Sequence, residues 1–300
     1  MDNIRTFAQL TTHLGQRTGR RRIAVVCGSD ASTCEAVGRA LEGGFAEAVF
    51  VGHTAEARRL LSGRAEDRHV DYVDATDDAE AARRAVAMVR GGEADVLMKG
   101  LVATDTLLHA VLDKQEGLLP TGGILTHLAA AELPAYGKLL LFTDAAVIPY
   151  PTAPQREAQV ACAVRMCHAL GIGEPRIALI HCSEHVSEKF PHTLEYARLA
   201  EAARTGRWGR AIVDGPLDVR TSCDAAAMAV KGICSPIAGQ ADALVFPDIE
   251  AGNAFYKTIT LFAGATTAGV LQGTVRPVVL PSRGDNADSK FYSLALAALD

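Results

Sequence analysis

The sequence has no C-x-x-C pair. Its seven cysteines, at 27, 34, 162, 167, 182, 223 and 234, fit no zinc spacing, and their odd number argues against a disulfide framework. They read as reduced core residues. Long apolar runs are also missing: nothing approaches the ~20 consecutive residues that span a bilayer, so no membrane insertion is expected. The opening "MDNIRTFAQLTTHLGQRTGRRR" shows no apolar stretch before a small-residue cleavage site. It reads as an amphipathic helix followed by a basic turn, and the chain is expected to be cytoplasmic. An excess of positive charge is absent: 30 Lys and Arg against 35 Asp and Glu leave −5 at pH 7. The "GRRR" at 19–22 is too short a patch to make a nucleic-acid surface. Also absent are a strand-anchored G-x-G-x-x-G, a G-x-x-x-x-G-K-[ST], an H-E-x-x-H and a G-x-S-x-G. Nucleotide hydrolysis and dinucleotide binding of the usual kinds are weakened accordingly. His181 and His185 stand four apart but straddle a strand end, "IHCSEH", and read as structural or exposed; no metal site is expected.

What is present is a regular alternation of short β-rich runs with longer helical ones. Strands are expected at 22–27, 48–52, 69–73, 95–100, 138–143, 176–181, 210–216, 243–248 and 276–281. Helices are expected near 32–42, 54–62, 77–90, 104–114, 154–170, 192–205, 222–231, 250–263 and 287–298. This pattern predicts the α/β class: mostly parallel sheets covered on both faces. Prolines at 149, 151 and 154 interrupt it and suggest a joint near residue 145. Two closely joined α/β lobes are therefore expected, 1–144 plus 265–300 and 145–264, with the ligand site in the cleft between them.

Three strand ends carry polar groups. "MKGLVATD" puts Lys99 and Gly100 after a strand, with Thr104 placed to cap the next helix. "FPDIEAGNAFYK" offers Asp248, Glu250 and Asn253, then Tyr256 and Lys257 on the helix that follows. "PVVLPSRGDNADSK" runs from a short strand through Ser282, Arg283, Gly284 and Asp285 into a helix that includes Asp288. Each segment taken singly is explained by turn and cap chemistry. Together they bring polar groups to one sheet edge, where α/β proteins bind ligands and where helix N-termini favour anions.

The same residues carry a resemblance. The "DGP" at 214–216, "KGI.SPIAG.AD" at 231–242, "PDIEAGN..YK" at 247–257 and "SRGD" at 282–285 resemble the C-terminal half of the phosphate acetyltransferase and phosphate butyryltransferase family. "LMKGLVATDTLLHAVLD" at 97–113 and "FTDAAVIPYPT" at 142–152 extend the likeness over nearly the whole chain, with variants closer to the butyryl type. The resemblance implies reversible exchange of an acyl group between CoA thioester and inorganic phosphate. It also implies a two-lobed fold like that of isocitrate and isopropylmalate dehydrogenases, and a homodimer. The motif serine falls on Ser282 and the arginine on Arg283. Acetyl-type members carry an aspartate seven residues after that serine as proton acceptor; here the position is Ser289, and Asp285 and Asp288 are the carboxylates at hand.

The chemistry sets three demands. Charge developing on the carbonyl oxygen needs fixed donors, which a serine hydroxyl and backbone N–H groups supply. Phosphate suits the planar fork of a guanidinium. The thiol of CoA, with a pKa of about 8.5, benefits from a nearby base. Ser282, Arg283 and one of Asp285 or Asp288 fill these roles, with Lys99, Gly100, Thr104, Asn253, Tyr256, Lys257 and Gly284 as substrate contacts. The partners expected are acyl-CoA, phosphate and acyl phosphate, and no cofactor is required. Two other readings remain: a metal- and NAD-dependent dehydrogenase of related fold, marked by a cluster of Asp or His ligands, and a non-catalytic binder of acyl-CoA or phosphate.

Overall fold

The computed structural model describes residues 3–282 and 284–299. In chain order its elements begin α1 (Phe7–Gly15), β1 (Arg21–Val26), α2 (Ala31–Glu42), β2 (Ala46–Gly52) and α3 (Thr54–Leu60). They continue β3 (Val70–Asp74), α4 (Asp78–Arg90), β4 (Val96–Lys99), α5 (Thr104–Val111), β5 (Thr126–Glu132) and β6 (Leu140–Thr143). Next come α6 (Ala153–Ala169), β7 (Arg176–Ile180), α7 (Pro191–Arg204), β8 (Ile212–Leu217), α8 (Val219–Cys223) and α9 (Ala225–Val230). The chain closes with β9 (Ala243–Val245), α10 (Ile249–Phe262), β10 (Thr266–Gln272), β11 (Val278–Val279) and α11 (Ala287–Leu299).

Two compact units result: a first of Phe7–Leu125 with the chain from Thr267 onward, and a second of Thr126–Thr266 with the residues up to Thr6. The prolines at 149, 151 and 154 lie inside the second unit, whose first strand already begins at Thr126. The reason is pairing: β6, just before those prolines, is hydrogen-bonded on one side to β5 and on the other to β9.

In the first unit the strands run in the order β3-β2-β1-β4-β11-β10, parallel except for the β10–β11 pair. Ile23, Ala24, Val25 and Val26 of β1 are buried in succession, as a strand flanked by helices on both faces requires. Ile23, Val25 and Val26 each contribute roughly 1.5–3 kcal/mol of burial, and Ala24 less. Asp30 and Asp77 start α2 and α4 by accepting the N–H groups of Thr33 and Glu80.

The second unit has the order β5-β6-β9-β7-β8, with only β5–β6 antiparallel. Its core gathers Phe142, Leu244, Phe246 and Ile237 beneath α10, where Phe255 meets the Phe142 ring edge-on at 5.3 Å. The α/β class with mostly parallel sheets is thus the observed one. β5 "THLAAAE" and β10 "TTAGVLQ" escape the sequence pattern because three successive alanines in the one and an Ala-Gly pair in the other weaken the strand signal. No described helix is long and apolar enough to cross a membrane.

Candidate functional site

The sheet of the first unit sets the stage. From β1 the chain moves outward to β2 and β3, then returns to β4 on the other side of β1 and later adds β11 beyond it. The direction of winding reverses between β1 and β4, so the loops after these strands open the crevice where α/β sheets take ligands. Lys99 and Gly100 leave β4 there, 27–30 leave β1, and the segment with Ser282 leaves β11.

Gly100 is a requirement of backbone packing. Its N–H donates to Val26 O and that of Leu101 to Cys27 O, both at 2.8 Å. A Cβ at 100 would lie 2.4 Å from Cys27 O and 2.7 Å from Gly28 Cα. Cys27 itself holds a left-handed φ of 51° and donates its thiol to Asp78 Oδ1 at 3.3 Å. Burial, and then this carboxylate, push the thiol up to about 12, so it is no nucleophile. Lys99 is buried and turns its ammonium onto Gly100 O at 3.2 Å. Thr104 does not cap α5: the N-cap position is Ala103, without a side-chain bond, and Thr104 is the exposed first helical residue.

The Ser282 segment forms a closed turn. Asp285 Oδ2 accepts the Ser282 N–H at 2.8 Å, the Asp285 N–H donates to Ser282 O at 3.1 Å, and the Gly284 N–H points to Ser282 Oγ at 3.4 Å. Ser282 is exposed. Arg283 lies outside the described residues. Asn286, and neither of the nearby aspartates, caps α11 by accepting the Ser289 N–H at 2.8 Å. Asp288 is held at 2.6 Å by Arg39 of α2, and Ser289 Oγ donates to Thr267 O. The turn reading and the chemical reading therefore share residues: Asp285 shapes the loop that presents Ser282.

In the second unit Asp248 caps α10 as expected, and Glu250 accepts from the Tyr150 hydroxyl. Asn253 Nδ2 donates to Ala145 O at 3.0 Å, tying α10 to the loop after β6. Tyr256 packs against Phe142, and Lys257 keeps its exposed ammonium 4.9 Å from the Tyr256 ring centroid. Of these three, the lysine is the one that offers a charge to solvent. His181 is buried with Nδ1 3.1 Å from His192 Nε2, and His185 is exposed. Among the described residues no group of three or more His, Cys, Asp or Glu could hold a metal ion.

Sequence reasoning missed two groups. Asp144 is a buried carboxylate with four donors: Ala146 and Val147 N–H on Oδ1, the Thr126 hydroxyl and His127 N–H on Oδ2. Its place at a strand end, "FTD", was the available signal, and its work is to fix the β6 exit. The other group is Asp30 with Lys290. The Lys290 ammonium donates to Asp30 Oδ1 (3.0 Å), Ser32 Oγ (2.7 Å) and Thr33 Oγ1 (3.0 Å) while only 4% of the residue is exposed. Burial opposes ionisation of Asp30, but the bonds from Thr33, Lys290 and Ser32 outweigh it and lower its pKa to about 2. Asp30 thus contributes stability that is fully present above its unfolded pKa, near 3.9, and is lost as pH falls toward 2. Thermal melts of wild type and Asp30→Asn are expected to differ at pH 6 and to converge between about pH 4 and pH 2. A gap that persists at pH 2 would contradict the assignment.

A groove of about 640 Å³ between α4 and α5, lined by Arg83, Val86 and His109 among others, contains none of the candidate residues.

Comparison with known proteins gives a consistent result. Residues 76–298 match a family model described as phosphate acetyl/butaryl transferase. The phosphate butyryltransferase of Clostridium acetobutylicum is 37% identical over 280 residues, 93% of each chain. A phosphate acetyltransferase of Thermotoga maritima is 35% identical over 280 residues, 93% of this chain and 95% of that one. Among solved structures, a branched-chain phosphotransacylase from Enterococcus faecalis V583 superposes with a TM-score of 0.81 at 33% identity, over 93% of this chain and 98% of its own.

Proposed function

The chain belongs to the phosphate acetyl/butyryl transferase family, and from that membership and the Ser282 turn we propose that it exchanges a short acyl group reversibly between CoA thioester and inorganic phosphate. The butyryl type is favoured over the acetyl type. The observation that carries the reading is an exposed serine, held by Asp285 in a closed turn at the end of β11, on the edge where winding reverses.

Phosphate oxygen attacks the thioester carbonyl, a tetrahedral centre forms, and the CoA thiolate leaves; the reverse reaction needs the thiol deprotonated. In this reading the Ser282 hydroxyl takes the charge that gathers on the carbonyl oxygen. Arg283 grips phosphate with its fork, because two parallel N–H bonds fix orientation as well as charge. Asp285, bonded to the Ser282 backbone, is assigned the proton of the thiol. Asp288 is the weaker candidate because Arg39 already engages its carboxylate. Lys99 and Gly100 act through the shape of the β4 exit, and Thr104, Asn253, Tyr256, Lys257 and Gly284 remain assigned to substrate. CoA and phosphate are substrates, and no cofactor enters the chemistry. A cytoplasmic homodimer is part of the same reading.

The test is CoA release from acetyl-, propionyl-, butyryl- and isobutyryl-CoA with and without phosphate. Release is expected to require phosphate, to be greatest with a four-carbon acyl group, and to persist in EDTA without added NAD. Loss on chelation, restored by a divalent ion, would favour the dehydrogenase-like alternative. No release from any of the four would favour a binding protein.

A further inference from the structure

The Lys290 ammonium is a buried charge that the acyl-transfer chemistry does not use. It sits on the first turn of α11, immediately after the Ser282 turn, and each of its three protons has an acceptor on the first turn of α2 or its cap. Asp30, Ser32 and Thr33 follow β1, whereas the Ser282 turn follows β11. β4 lies between those two strands, so the loops they feed stand about two strand spacings, ~10 Å, apart on the same sheet edge. Lys290 spans that interval on the side of the helices. An apolar side chain would fill the same volume without the cost of burying an ammonium. What the charge adds is direction, since all three bonds are satisfied in a single placement of α11 against α2. The low pKa of Asp30 keeps its carboxylate ionised across the neutral range.

We propose that Lys290 is a positioning residue. Its ammonium clamps the start of α11 to the start of α2 and thereby fixes the Ser282 turn relative to the ends of β1 and β4. The inference rests on the acyltransferase reading for its kinetic consequence and on the hydrogen-bond geometry alone for its structural one.

The experiment compares Lys290→Met with Ser293→Ala in the full-length protein. Ser293 lies one turn further along the same helix, where it donates to Ser289 O and accepts the Gly269 N–H, so its loss disturbs α11 without touching the clamp. Amide exchange of the 280–287 peptide is expected to quicken by ~10-fold or more in Lys290→Met and to stay near wild type in Ser293→Ala. With butyryl-CoA and phosphate, kcat of Lys290→Met is expected to fall at least ~10-fold while both KM values stay within about 3-fold. Wild-type exchange over 280–287 in Lys290→Met, or equal quickening in Ser293→Ala, would overturn the proposal. Should Lys290→Met fail to fold, Ser32→Ala and Thr33→Val each remove one acceptor and leave the ion pair. Faster exchange over 280–287 in either supports the clamp, and none in both overturns it. If wild type itself shows no turnover, the acyltransferase reading falls while the exchange data still decide the clamp.

Discussion

Ser282→Ala is expected to lower turnover by roughly 10²-fold while leaving the Michaelis constants for acyl-CoA and phosphate nearly unchanged. The hydroxyl is asked to stabilise charge that exists only once the carbonyl carbon is tetrahedral, so its loss is felt in kcat. If Ser282 only shaped the turn, the outcome would differ: a stability loss of roughly 1 kcal/mol, as for a lost cap, with turnover kept. The structure makes the distinction sharp, because the turn's shape is held by Asp285 Oδ2 on the Ser282 backbone N–H and by the Asp285 N–H on Ser282 O. Neither bond uses the hydroxyl, whose own contact within the turn is the long one of 3.4 Å from the Gly284 N–H. A folded Ser282→Ala protein with an unchanged melting temperature and most of its turnover would remove Ser282 from the chemistry.

Gly100→Ala should have the largest effect on folding of any single methyl added near this edge. The new Cβ would stand 2.4 Å from Cys27 O and 2.7 Å from Gly28 Cα, so it meets backbone and not a side chain that could swing away. Overpacking costs typically 1–3 kcal/mol where neighbours can give. Here the loops after β1 and β4 are also pinned by the Gly100 and Leu101 N–H bonds, and about 3 kcal/mol or more is expected. Gly137→Ala is the control, since nothing lies within 4 Å of its added Cβ. Its effect should be within about 1 kcal/mol of zero. Denaturant melts of the two variants measure the contrast, and a Gly100→Ala protein as stable as Gly137→Ala would contradict the described packing.

How much of this could be read in advance follows the range of the interactions. The β1, β4 and β11 exits were legible because strand, turn and cap signals are local: a run such as "RIAVV", a glycine, an aspartate before a helix. The limits of the strands were less so. β11 shrinks to Val278–Val279 between Pro277 and Pro281, neither of which can donate to the ladder, and β9 stops at Val245 just ahead of Phe246 and Pro247. β5 and β10 were hidden because their alanines and glycine carry little strand propensity, and they become strand by pairing antiparallel with β6 and β11, the next strands along the chain. The cap assigned to Thr104 failed by one residue, a shift that no local pattern fixes.

The site divides in the same way. Ser282, Asp285 and the glycine at 100 stand out by residue type and position, and the likeness to a known family points to the serine among them. The Asp30–Lys290 bond joins residues 260 positions apart and leaves no periodic trace. Asp144 likewise gathers donors from both sides of itself, at 126–127 and 146–147. Such carboxylates are recognised only when the backbone N–H groups around them are in place. Asp288, prominent in the sequence as a candidate base, proves to be paired with Arg39 on the outer face of α11 and α2.

The most direct test of acyl exchange is to watch the phosphorus. Butyryl-CoA and inorganic phosphate are mixed with the protein, and phosphorus NMR follows the phosphate while a thiol reagent follows free CoA. The account predicts an acyl phosphate resonance that grows in step with CoA, one for one, and that declines when CoA is added back. CoA released without an acyl phosphate signal, with free butyrate as the product, would mean hydrolysis and would contradict the assignment of the Ser282 edge to phosphate transfer.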